Sequence, residues 1–131
     1  MAQATYPQKG LSGGDFSLIS PAIIERLSHI QDSILNIRRI ENRISKIDLD
    51  DELYLIYFHA LLYNLITIGE AVRAKRNEIT TIAPEIPWER IINLRNRLTH
   101  EYFTVDARFI SETLGDPLST LESRIPELLR K

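Results

Sequence analysis

The chain of 131 residues has no cysteine, one methionine, one tryptophan and only five glycines. Without thiols there are no disulfides, no thiolate zinc sites and no cysteine nucleophile, as suits a reducing compartment. No apolar run approaches the roughly eighteen residues that a membrane span needs, and no charged-then-apolar leader opens the chain. It therefore reads as soluble and cytoplasmic, with no membrane partner. An excess of positive charge is also missing. Lys and Arg number 16 against 18 Asp and Glu, a formal net charge of -2 with a pI near 5.9. That excludes a module held on nucleic acid by bulk charge, but leaves room for a local basic site. No segment alternates with period two between turn pairs, so no sheet is expected, and internal repeats are absent.

What is present is enough apolar residue, 44% of the chain, for one self-sufficient core. Residues 1–19 are rich in Gly, Ser, Gln and Ala without a sustained period and read as a flexible N-terminal tail. Residues 20–131 read as one helical domain. Ser20-Pro21 combines a capping hydroxyl with proline at the first helical position. Ile23, Leu27, Ile30, Ile34, Ile37, Ile40 and Ile44 then recur every three or four residues, predicting one amphipathic helix to about Ile47. Asp48-Leu49-Asp50-Asp51 supplies caps for a second, over about 50–78, whose apolar residues cover more than one stripe. Gly69 inside it predicts close approach by another backbone, and Glu70 beside it reads as a solvated or paired charge. Pro84-Glu85-Ile86-Pro87 is a loop, and a third helix starts near Pro87 or Trp88. Asp106 caps a short helix to Leu114, Gly115-Asp116-Pro117 breaks it, and Leu118, Leu121, Ile125, Leu128 and Leu129 carry the last stretch. The fold class is all-α, an up-and-down bundle of four main helices with the last one broken.

The chemistry is concentrated in Arg95-Asn96-Arg97-Leu98-Thr99-His100-Glu101-Tyr102, at the end of the third main helix. Arg offers a fixed guanidinium fork to phosphate oxygens, and His exchanges a proton near neutral pH, so the cluster can recognise and cleave a phosphodiester. The same residues can also do no more than cap a last turn and complement its dipole. RNA carries its own nucleophile, the 2'-hydroxyl, so proton removal together with charge stabilisation at phosphorus suffices without metal. None of the three histidines has a glutamate three residues before it; Arg26, Ile56 and Arg97 stand there. The carboxylate-histidine spacing of bundle metal sites is therefore missing, and His29 and His59 read as surface or core-satisfying residues.

The stretch from Leu61 to Asp106 resembles the HEPN superfamily, specifically its HepT-type toxin branch. The resemblance is carried by Ile68-Gly69-Glu70-Ala71, by Pro84-Glu85-Ile86-Pro87-Trp88, by Arg95-Asn96 with His100 and Tyr102, and by the run from Tyr102-Phe103 to Val105-Asp106. It implies a metal-independent endoribonuclease toxin of a type VII-like toxin-antitoxin system, working as a homodimer on RNA. Its implied partner is a nucleotidyltransferase antitoxin of the MNT type, which uses ATP to place AMP on the motif tyrosine. Carried over by position, Arg95 and His100 match the catalytic pair, Asn96 the polar residue after the arginine, and Tyr102 the modified tyrosine; Asn96 and Arg97 are expected to position substrate. No cofactor is implied beyond the partner's ATP. Glu101 departs from the pattern, since relatives often carry glycine or another small residue there. A carboxylate at that position could repel phosphates or pair with Arg97.

Helical geometry sets a condition on this reading. At about 100° per residue, Arg95 and His100 are not neighbours on one helix. Either the helix loosens before His100, or the arginine reaches round, or two subunits share the site; the last option fits a two-fold dimer. Two other classes remain in view: a catalytically silent HEPN module that binds a nucleotide or a partner protein, and a helical scaffold in which the cluster only caps.

Overall fold

The computed structural model describes residues 19–101 and 106–130. Five helices occur among them: α1 (Pro21–Ile44), α2 (Glu52–Ala74), α3 (Arg76–Ile82), α4 (Trp88–Glu101) and α5 (Ala107–Leu129). The four long ones form a ring in which α1 packs on α2 and α5, and α4 packs on the same two. The expected all-α bundle is thus the observed fold.

The helix starts follow the capping chemistry read from the sequence. The Ser20 hydroxyl accepts from the Ile23 amide at 3.2 Å, Asp51 accepts from Leu53 at 2.8 Å and Asp106 from Phe109 at 2.8 Å. Each satisfies one amide that the first helical turn leaves without a partner. Ile23, Leu27, Ile30, Ile34 and Ile37 form the buried stripe of α1. Ile19, assigned to the tail by composition, is also buried; residues 1–18 lie outside the described residues. Asn64 is a polar side chain within the α1–α2 seam. Its amide donates to the Ala60 carbonyl at 2.8 Å, and its oxygen accepts from Asn36 at 3.3 Å. A satisfied buried amide of this kind fixes the register of two otherwise apolar helices.

Two expectations are corrected. The second helix does not run to residue 78: it ends at Ala74, Lys75 leaves helical dihedrals at φ -128° and ψ 37°, and α3 restarts at Arg76. The redirected chain buries Ile79, Ala83 and Ile86 beside Trp88. Nor does Gly115-Asp116-Pro117 end a helix, because α5 is continuous with Pro117 and Pro126 inside it. An interior proline removes one helical hydrogen bond and crowds the preceding turn. Here Ile110, Pro117, Leu118, Leu121, Ile125 and Leu128 are buried in one helical phase across that point. Each large apolar side chain among them contributes about 1.5–3 kcal/mol by leaving water, so burial outweighs the local cost of about 3 kcal/mol.

Helix α2 has two different faces. Leu61, Leu62, Leu65, Ile68, Ala71 and Val72 are buried between α1 and α4. Leu53, Leu55, Ile56 and Tyr63 remain exposed, at 46%, 57%, 61% and 70%, with Leu49 at 76% just before them. The heavy apolar content read from the sequence therefore has two causes, packing on two neighbours and an outward stripe. By length and composition α2 is also apolar enough to cross a membrane, which the sequence reading did not expect, but half of that window is buried within the bundle.

Candidate active site

The start of α4 is built rigidly. The Trp88 indole donates to the Ala83 carbonyl at 2.8 Å, which closes the turn between α3 and α4 around a buried ring. Arg124 on α5 donates to the Glu85 carboxylate in the same turn, and holds that carboxyl below its ordinary value, chiefly through this hydrogen bond. Arg76 pairs with Glu89 at 2.6 Å. Ile91, Ile92, Leu94 and Leu98 then face the core.

Arg95 lies where α4 crosses α2, and Gly69 makes that crossing possible. A Cβ at Gly69 would stand 2.2 Å from Arg95 Cβ and 2.6 Å from Cγ. No real packing tolerates such distances. The expected close approach is confirmed, and the arginine stem is what fills the space. The guanidinium is delivered to Glu70, whose carboxylate accepts from Arg95 Nη2. Nη1 donates to Asn96 Oδ1 at 2.8 Å. Arg95 Nε is buried without a hydrogen-bond partner, and the side chain as a whole keeps 16% exposure. Glu70 also lies 3.8 Å from Arg73, so the two arginines and one carboxylate sum to a local charge of +1.

The other candidates separate from this seat. Asn96 is exposed and serves Arg95 as an acceptor. Arg97 stacks its guanidinium 4.2 Å from the centre of the Phe109 ring, tying α4 to the start of α5. His100 is exposed in the last turn of α4. Tyr102 lies outside the described residues. Because α4 runs unbroken from Trp88 to Glu101, Arg95 and His100 sit about 140° apart around one axis. The helix does not loosen before His100, and the arginine reaches Glu70 instead of the imidazole. His29 and His59 are exposed. Among the described residues, no three His, Asp or Glu side chains form a group able to hold a metal.

Sequence reading left Glu70 as a solvated or paired charge and did not name Arg95 as its partner. The adjacent Gly69 held the signal, since a residue beside an approach-permitting glycine must meet whatever approaches.

Comparison with known proteins places these features in a family. Residues 30–128 match the HepT-like family, described as Ribonuclease HepT-like. A protein of Caldanaerobacter subterraneus subsp. tengcongensis that carries the name of an RNase is 38% identical over 72 residues, 55% of this chain and 64% of its own length. A probable ribonuclease HepT of Thermococcus cleftensis is 36% identical over 72 residues, again 55% and 64%. The chain thus spans less than two thirds of the length of these two relatives. No solved structure matches it. With the matched region running from α1 to the end of α5, and with Arg95, His100 and the Gly69 crossing inside it, the chain belongs to the HepT-like ribonuclease family.

Proposed function

We propose that this protein is a metal-independent endoribonuclease, the toxin of a type VII-like toxin-antitoxin pair, acting on RNA in the cytoplasm as a homodimer. The observation that carries the reading is the seated Arg95 on an unbroken helix whose exposed end presents His100 on another side. One copy separates the two groups, so a working site combines residues of two copies. The exposed stripe of α2 suits this arrangement. Leu53, Ile56 and Tyr63 recur at helical spacing and point along the face that reaches Glu70 two turns later. Burying that stripe in a second copy removes apolar surface from water and brings the two clusters to one two-fold cleft.

In that cleft one His100 imidazole accepts the 2'-hydroxyl proton. The 2'-oxygen forms a bond to phosphorus as the bond from phosphorus to the 5'-oxygen breaks. The leaving oxygen takes up a proton from water, and Arg95 of the other copy stabilises charge on the non-bridging oxygens. No cofactor enters these steps. Tyr102, two residues past His100 in the sequence, is the modification site that this reading assigns. An MNT-type nucleotidyltransferase antitoxin silences the enzyme when the Tyr102 phenol oxygen attacks the α-phosphorus of ATP, with loss of pyrophosphate. The added AMP places bulk and negative charge where RNA phosphates must sit.

The test is cleavage of a labelled RNA by purified protein in the presence of a chelator. Cleavage that persists with chelator, and is lost in folded Arg95→Ala and His100→Ala variants, supports the reading. Intact RNA, or cleavage indifferent to both substitutions, overturns it. For the modification, co-expression with the transferase is expected to add the mass of one AMP, and Tyr102→Phe to abolish the addition.

A further inference from the structure

We infer that Glu70 is a positioning residue for Arg95, holding the guanidinium in the one orientation in which its free N–H groups meet a phosphate; this rests on the ribonuclease reading above. Three observations converge on it. Gly69 removes the side chain that would keep α4 away, so the Arg95 stem lies against α2 and its head must emerge beside residue 70. The Glu70 carboxylate then takes one terminal nitrogen, and Asn96 takes the other. Finally, Arg95 Nε is buried and unpartnered, so the stem has no polar contact of its own to fix its rotation. The orientation of the fork is set by its two terminal contacts.

A guanidinium carries five N–H donors. One hydrogen on each terminal nitrogen is engaged, which leaves one further N–H donor on each, on a side chain that keeps 16% exposure. A pair of parallel donors matches two oxygens of one phosphate. Free arginine loses side-chain entropy when it is fixed on an anion. Here that ordering is completed in the folded protein, so it does not recur at each turnover. Neutralisation is incomplete, because Arg73 shares Glu70 at 3.8 Å and keeps the group at +1. The carboxylate therefore orients the cation without cancelling its attraction for RNA.

The role separates by chemistry between two variants. Glu70→Gln keeps an oxygen acceptor at the same reach, and Glu70→Ala removes it. Steady-state cleavage of a short RNA by Glu70→Ala is expected to show kcat reduced about 10- to 100-fold with KM nearly unchanged, the cost of a misdirected group. Glu70→Gln is expected to restore most of kcat. The Arg95 Nε–H resonance in a 15N-labelled sample gives a readout independent of cleavage: a dispersed signal in wild type and Glu70→Gln, collapsed toward the free-arginine position in Glu70→Ala. Equal or higher kcat in Glu70→Ala, or an unmoved Nε–H resonance in that variant, overturns the inference. Thermal melts of both variants identify any loss that comes from unfolding. If wild-type protein leaves RNA intact, the ribonuclease reading fails, while the resonance still decides whether Glu70 holds Arg95.

Discussion

The two ends of α4 are built on opposite principles. Its first turns are fixed from several sides: the Trp88 indole on Ala83, Arg124 on Glu85, Arg76 on Glu89, and Arg95 against Gly69 and Glu70. Its last turn lies at the surface, with Thr99, His100 and Glu101 all exposed. The difference suits the roles proposed for the two groups. A charge-stabilising cation gains from a preorganised position, whereas an imidazole that exchanges protons with a substrate must be reachable. One helix thus carries a held arginine and an exposed histidine.

The largest effect expected from disturbing this contrast is on cleavage. Arg95→Ala and His100→Ala should each lower turnover by about 10²–10⁴-fold, yet they should differ in stability. Urea unfolding should register a loss of about 1–2 kcal/mol for Arg95→Ala, which strips a stem packed on α2. His100→Ala should stay within about 0.5 kcal/mol, as an exposed substitution. Equal losses for the two would erase the distinction between the ends of the helix.

Mixing the two inactive variants sharpens the comparison further. If each site takes its arginine from one copy and its histidine from the other, half of a random mixture is heterodimer with one intact site of two. Activity should then recover to roughly a quarter of wild type. A site contained in one copy gives no recovery. Ile56→Ser on the outward stripe of α2 should shift the protein from dimer to monomer in light scattering and remove cleavage, with the melt of the chain preserved because Ile56 is exposed. A smaller change is expected from Gly69→Ala. Overpacking against Arg95 costs about 1–3 kcal/mol, offset by about 1 kcal/mol of helix propensity, so a net loss of at most about 2 kcal/mol should appear in denaturant midpoints.

The smallest expected effect is on pH dependence at the anchored end. Glu85 sits below its ordinary value of 4.5 because Arg124 hydrogen-bonds its charged form. A carboxyl lowered in the folded state stabilises above its unfolded value, and that contribution fades as pH falls through the lowered one. Melts of wild type and Glu85→Gln should differ at neutral pH and draw together as pH falls from 4.5 through the lowered value.

Much of the fold was legible because it depends on local rules. Ser20, Asp51 and Asp106 are caps by residue type, and the isoleucines of α1 announce its buried stripe through spacing alone. The break at Lys75 was not legible, since the run from Glu70 to Ile82 contains neither glycine nor proline; packing of Ile79 and Ala83 overrides propensity there. Pro117 misled in the other direction, being a strong breaker overruled by burial on both sides. In the candidate site, spacing identified Arg95 and His100 as a cluster, and it showed that the two are not neighbours on one ideal helix. The seat of Arg95 escaped because Glu70 is 25 residues away on another helix, and such pairing leaves no periodic trace. Arg97, expected to position substrate, lies over the ring of Phe109, a placement that spacing within one helix does not announce.

Trp88 is the only tryptophan in the chain, and it is buried with its indole nitrogen bound at the very turn that anchors α4. The intrinsic fluorescence of the protein is consequently a single-site signal. Its emission will redden, or be quenched, when that turn opens, and the sequence thereby carries its own optical probe of whether α4 is docked.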